Sequence, residues 1–363
     1  MKIKVKKENL LSGVQTVQGI ITTKSTLPIL SNILLEVNQN KLRLTATDLD
    51  IGINCAIDVD ASEAGSITLP AKRFSDIIKE LPNEEIGITV KKNNLVIIET
   101  ANCQFKIMGL SAEEFPKLPE FKDREIITID QAILKEMISK TSFAVSYDET
   151  RYILNGILFK IKDDNLTFVA TDGRRLALIE KKLATSVNKT IDIIVPIKTI
   201  QELNRNLKEE GSLSLILGAN QALFELDNIM IISRLVEGEF PDYKQVIPPV
   251  SAQKIKIGRQ AFLLAIRRAA LLATPDYQAV KLELFKNKLI VSKTTPDIGE
   301  SREEVDAEYV GRELVIGFNP NYLIDVLKIL GDETVEMEVT DTEKPGVVRA
   351  GGYVYIVLPM RLS

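Results

Sequence analysis

The chain has 363 residues, 45% apolar and 26% charged, an ordinary globular mixture whose length predicts two or three domains at about 150 residues each. A formal net charge of −4 excludes a bulk-basic nucleic-acid binder, and the absence of His excludes Ser-His and Cys-His catalysis and His metal ligation. The two cysteines, Cys55 and Cys103, form no CxxC and no metal-like cluster, which predicts no disulfide framework and a reducing, cytoplasmic setting.

At the start, MKIKVKKENLL is charged but has no apolar run behind it, so no secretory leader is expected. No stretch of about 18 apolar residues follows anywhere, so no membrane span is expected either. Leu10, Val14, Val17 and Ile21 then form the stripe of a helix over 7–20. Strands follow at ILLEV (33–37) and LRLTATD (42–48). ITLPAKRFSDIIKEL (67–81) reads as a strand closed by Pro70 and an amphipathic helix over 71–81, a position proline tolerates.

The same order then repeats. A helix is predicted over 130–141 (Leu134, Met137, Ile138), strands at ILFKI (157–161) and LTFVATD (166–172), and a helix over 197–209 after IIVP. A third copy has a helix over 259–272 (Phe262, Ile266, Ala269), LIVSKTT at 289–295 and a helix over 318–330. Phe74, Ile200 and Leu323 are equivalent, as are Asp76, Glu202 and Asp325, and then Lys79, Arg205 and Lys328. From Thr47 to Thr171 the spacing is 124 residues, too long for a solenoid repeat, so the copies are domains. The proline-rich FPKLPEFKD (115–123) and FPDYKQVIPPV (240–250) end the first two copies. Domains are therefore expected at 1–124, 125–250 and 251–363, each with two helices packed on antiparallel sheet in an α+β fold.

Charge is not spread evenly. The six helical windows hold thirteen basic and eight acidic residues, net +5, which leaves −9 for the rest of the chain. Solvated helix faces account for this, and so does a shared surface facing a polyanion; the recurrence of Lys79, Arg205 and Lys328 favours the second. The repeated ATD at 46–48 and 170–172 invites a reading of Asp48 and Asp172 as metal or acid/base carboxylates. Thr295 stands in their place in the third copy, and Asp and Thr at strand ends more often satisfy turn backbone groups. Walker A, GxGxxG and GxSxG motifs are absent. The terminal YIVLPMRLS is a core strand in its simplest reading, yet Met360 and Leu362 beside Pro and Arg also suit an adaptable binding surface. From the residues alone three readings stay open: a repeat protein whose helices face a polyanion, a metal-dependent hydrolase using Asp48 and Asp172, and a repeat scaffold that binds proteins.

TLPILSNILLEV (26–37), ATDGRRLAL (170–178), GEFPDY (238–243) and LPMRL (358–362), in this order across all three copies, resemble the bacterial DNA polymerase III beta subunit, the sliding clamp. The resemblance implies a DNA clamp fold in which two chains join head to tail as a six-domain ring. Helices would line the hole and sheets would form the wall. It implies no catalysis, no cofactor and no metal. The partners it implies are double-stranded DNA bound without sequence preference, a second copy of the chain, a clamp loader, replicative and other DNA polymerases, and further proteins with clamp-binding peptides, with no membrane.

Residue by residue, the resemblance implies DNA contact at Lys24, Lys72, Arg73, Lys79, Lys198, Arg205 and Lys328. It implies a peptide pocket built from Leu154, Thr171, Gly173, Arg174, Arg175, Leu176, Pro241, Val246, Tyr322, Val357, Leu358, Pro359, Met360, Arg361 and Leu362. The dimer seam would place Leu271 and Leu272, which by pattern alone also read as plain core, against Phe105 and Ile107, with Glu300, Glu303 and Glu304 facing Lys72 or Arg73. Arg174 stands where the family often has His and Gln245 where Arg is common, so this chain differs at the pocket's rim and not at its apolar floor.

Overall fold

The computed structural model describes residues 1–21, 27–121 and 125–362. Helices form at all six predicted stripes: α1 (Lys7–Gln18), α2 (Ala71–Glu80), α3 (Gln131–Thr141), α4 (Ile197–Asn206), α5 (Arg259–Ala270) and α6 (Pro320–Ile329). Each buries the apolar face that its spacing creates, for example Leu10, Val14 and Val17 of α1, Phe262, Ile266 and Ala269 of α5, and Leu323, Val326 and Leu327 of α6. Pro70 and Pro196 end the strands Gly65–Pro70 and Arg175–Pro196 directly before α2 and α4. Pro320 takes the first position of α6, where its missing N–H costs nothing, and the Asn319 side chain caps the helix by accepting from Asn321 N–H.

In each copy the first residue of the leading helix closes the end of the trailing one. Lys7 Nζ donates to the carbonyls of Lys79 (2.8 Å) and Leu81. Gln131 accepts from Lys208 N–H at 3.0 Å and donates to Ser212 O at 3.2 Å. Arg259 donates to Leu327 O at 3.0 Å and Asp332 O at 2.8 Å. Helix C-termini leave carbonyls unpaired and carry partial negative charge, so two of the three caps are cations.

Two compact units result, one of residues 1–132 and 198–235, the other of 133–197 and 236–363. The first holds a five-stranded and an eight-stranded sheet, the second a ten-stranded sheet, all antiparallel. The eight-stranded sheet is continuous because Ile229–Arg234 pairs with Ile51–Asp58, Ile231 opposite Ile53. In the second unit Arg175–Pro196 pairs with Tyr353–Val357, Leu176 opposite Ile356. The central segment therefore gives strands to both units, which removes edges that would otherwise stand open. The strands predicted separately at 157–161 and 166–172 run as one, Gly156–Thr171, with register irregularities between Ile161 and Asn165.

Candidate peptide cleft and nucleic-acid interface

The ATD motifs build turns. In the first, Asp48 Oδ1 accepts from the N–H groups of Asp50 (3.1 Å) and Ile51 (2.8 Å), and Thr47 Oγ1 donates to Ile51 O while accepting from Leu49 N–H. In the second, Asp172 Oδ1 accepts from Arg174 (2.9 Å) and Arg175 (3.0 Å) N–H, and Thr171 Oγ1 repeats the role of Thr47. Leu49 at φ +80° and Gly173 at φ +84° occupy the same left-handed position. Both carboxylates also hold a cation: Asp48 pairs with Lys198, and Asp172 Oδ2 accepts from Arg175 Nε at 3.0 Å. This is the turn chemistry expected of such residues, and it engages both oxygens of each carboxylate.

The second turn rims a cleft of about 210 Å³ lined by Leu154, Thr171, Gly173, Arg174, Arg175, Leu176, Phe240, Pro241, Asp242, Tyr243, Val246, Ile356 and Leu358. Its floor rests on a buried cluster of Leu158, Val169, Leu178, Ile194 and Val347. Its far wall is set by Asp242, which caps the short helical turn Tyr243–Val246 through Lys244 N–H and holds Gln245 Nε2 at 2.9 Å. Burial raises the Tyr243 hydroxyl above the ordinary tyrosine range. Sites for drug-sized ligands begin near ~300 Å³, so this one has room for one or two large apolar side chains.

Arg175 holds the rim in place. Only a tenth of its side chain is exposed, and Nη1 donates to Asp325 Oδ2 on α6 at 2.7 Å. Nη2 donates to Phe143 O, and the guanidinium stacks 4.4 Å from the Tyr322 ring centroid. The carboxylates of Asp325 and Asp172 keep Arg175 charged against its own burial. Tyr322 thus touches Arg175 and does not line the cleft.

The cationic residues divide into two groups. Lys72, Arg73, Lys79 and Lys328 are exposed and make no ion pair among the described residues. Lys198 is held by Asp48, and Arg205 donates to Thr16 O at 2.9 Å with Nη2 2.5 Å from Glu202 Oε2, out of line for a hydrogen bond. Lys24 lies outside the described residues. Lys7 and Arg259, part of the helical surplus of charge, are engaged as helix caps.

Among the open sheet edges of the described residues, two concern the expected seam. Gln104–Met108 is the outermost strand of its sheet, with Phe105 half-buried and Ile107 buried. Gly299–Glu308 pairs with Lys288–Thr295 on one side, and on the other only Ala307 and Glu308 meet a described strand. Leu271 is 81% exposed, so it is not core; Leu272 is half-buried. Glu303 is forked by Arg268 at 2.5 and 2.8 Å, and Glu304 meets Lys288 and Arg302, each at 3.2 Å.

Family models of the DNA polymerase III beta subunit match in order, the N-terminal domain over residues 1–119, the central domain over 128–242 and the C-terminal domain over 244–361. The chain belongs to this family. Among its relatives are the beta sliding clamps of Pseudomonas aeruginosa, 36% identical over 369 residues and all of both chains, and of Chlamydia muridarum, 30% identical over all of this chain and 99% of that protein. The solved sliding clamp of Bacillus subtilis superposes with a TM-score of 0.95 at 33% identity over all of both chains. A Pseudomonas aeruginosa clamp bound to griselimycin does so with 0.95 at 35%, again over all of both. The fold is thus the three-domain α+β clamp fold.

Against that family pattern the structure brings nine of the fifteen expected pocket residues to the cleft: Leu154, Thr171, Gly173, Arg174, Arg175, Leu176, Pro241, Val246 and Leu358. Val357 is not among them. Side chains alternate across a strand, so Ile356 and Leu358 face the cleft while Val357 is fully buried on the opposite face. Pro359, Met360, Arg361 and Leu362 also lie outside the lining, because Met360 N–H donates to Gly317 O at 2.8 Å and Leu362 packs over Gly317. Phe240, Asp242, Tyr243 and Ile356 were missed; the first three sit inside the FPDY motif, whose kinship with FPKL was the available signal.

Proposed function

We propose that two copies of this chain join head to tail into a closed ring of six similar domains, three per chain at residues 1–124, 125–250 and 251–363, and that duplex DNA threads the ring. The observation that carries this reading is the match to three clamp domains in order along the whole chain. Two of the open edges would supply its seams: the Gln104–Met108 strand of one protomer would add to the Gly299–Val305 edge of its partner by antiparallel strand addition. Phe105, Ile107, Leu271 and Leu272 would supply the apolar contact. Glu300 would face Lys72 or Arg73, while Glu303 and Glu304 would have to share their intrachain cations.

The helices would face the hole. Lys72, Arg73, Lys79 and Lys328 would attract phosphate without reading bases, in a salt-dependent way. Lys24 would join them, and Lys198 and Arg205 would do so in competition with Asp48 and Glu202. The protein would catalyse nothing; it would hold DNA by enclosure and act as a processivity factor. The cleft would receive apolar peptides of replicative and other polymerases, of the clamp loader and of further clamp-binding proteins. No described helix is long and apolar enough to cross a membrane, and a cytoplasmic setting fits. Sedimentation equilibrium tests the ring: a mass near twice the 40.4 kDa chain supports it, and a monomer that persists at micromolar concentration overturns it.

A further inference from the structure

The internal repeat gives the open cleft a counterpart in the first unit. In the second unit the cleft floor is Leu176 opposite Ile356, with Val347 beside Ile356 in the next strand. In the first unit the same register places Gly52 opposite Ile232, with Leu223 beside Ile232. The rim is the Thr171–Arg175 turn in one and its twin, the Thr47–Ile51 turn, in the other. Each floor is approached by an FP segment, FPDYKQV at 240–246 and FPKLPEF at 115–121. Aligned on FP, Leu118 matches Tyr243 and Phe121 matches Val246.

The outcome differs. In the first unit Leu118 and Phe121 pack on the apolar cluster of Ile216, Leu223 and Ile232. Two glycines make room for them. A Cβ at Gly52 would stand 2.5 Å from Leu118 Cδ2, and a Cβ at Gly218 would stand 3.2 Å from the Phe121 ring. Where Gly52 leaves a hole for Leu118, its equivalent Leu176 fills that space with its own side chain, and the cleft beside it stays open.

We propose that Leu118–Phe121 is a peptide bound in cis, and that the groove of Gly52, Gly218, Leu223 and Ile232 is a second apolar peptide site closed by this plug. The site takes an extended peptide with two large apolar side chains three residues apart, the spacing of Leu118 and Phe121. The inference rests on the reading of the second-unit cleft as a peptide site and not on the DNA-encircling one, and the groove it proposes lies wholly within the first unit. It accounts for the difference between the apolar cleft beside Leu176 and the groove at Gly52 that Leu118 fills.

The probe is a synthetic peptide of residues 115–121, FPKLPEF, carrying a benzophenone side chain at the Phe121 position, with photo-crosslinks mapped by mass spectrometry on the full chain. In the unaltered protein no crosslink forms within 216–234. In Leu118→Ala/Phe121→Ala, crosslinks appear there, and peptide stoichiometry rises by one per chain. Crosslinks near 171–176 and 356–358, read in the same sample, report separately on the open cleft. If the double variant does not fold, Phe121→Ala alone vacates the cradle at Gly218 and gives the same crosslinks at lower yield. A variant with a cooperative thermal transition, saturated with peptide yet free of crosslinks within 216–234, overturns the proposal.

Discussion

Arg175 donates to Asp325 at 2.7 Å across 150 positions of the sequence, tying the turn that rims the cleft to helix α6. The same guanidinium holds Asp172, so its removal leaves two partly buried carboxylates without their cation. Arg175→Ala is expected to cost about 3 kcal/mol, the lower end for breaking a buried pair. Asp325→Asn, which keeps a hydrogen-bond acceptor, should cost about 1 kcal/mol. Urea denaturation measures both, and calorimetry should show peptide affinity at least tenfold weaker in Arg175→Ala. Equal stability of the two variants would contradict the account of this clamp.

Glu202 offers a pH test. Burial raises its carboxyl above the ordinary range, although Arg205 and Lys198 oppose the shift. A group whose folded pKa is raised contributes stability below its unfolded pKa and loses it as pH rises through the folded value. Glu202→Gln should therefore gain stability relative to the unaltered chain as pH climbs from about 4.5 toward 7. It also leaves Arg205 uncompensated, so DNA affinity should rise in low salt. Thermal midpoints at pH 4 and pH 7 settle the first point; a gain that is larger at pH 4 would contradict it.

How far the sequence carried depended on the range of each interaction. The helices and the prolines before two of them were legible because apolar spacing and φ restriction act locally, as at Pro70 and Pro196. The pairing of Ile231 with Ile53 was not, because no local pattern specifies a partner strand so distant in the chain. Val357, expected from the resemblance, is buried while Ile356 one position away lines the cleft, because a step of one residue along a strand moves a side chain to the opposite face. The counted helical charge overstated the free charge, since Lys7 and Arg259 are helix caps and Lys198 is held by Asp48, 150 residues away.

Gly317 tests the C-terminal tail. A Cβ there would stand 2.6 Å from Met360 O and 2.8 Å from Leu362 Cδ2. Gly317→Val should displace residues 359–362 without altering Leu176 or Ile356 in the cleft floor. If the tail is part of the peptide site, affinity by calorimetry falls about tenfold, or about 1.4 kcal/mol, and Met360→Ala gives a smaller loss with the dimer intact. Unchanged affinity in both would confine the site to the cleft.

Leu271 is 81% exposed and is expected to be buried in the ring's seam. Leu271→Ala should leave the thermal midpoint of the monomer unchanged while weakening self-association by about 2 kcal/mol per seam, the worth of a buried leucine. Sedimentation velocity across a dilution series reads the shift. A loss of monomer stability without loss of association would place Leu271 in a folding role.

Enclosure predicts a dependence on DNA topology that no groove binder shares. The protein is loaded onto a nicked circular plasmid with a bacterial clamp loader, and the complex is isolated by gel filtration. Half of it is then cut once with a restriction enzyme, and the retained protein is measured over time at moderate salt. The account predicts retention on the circle and rapid loss from the cut molecule, as the ring slides off a free end. Equal rates of loss from circular and linear DNA would contradict it.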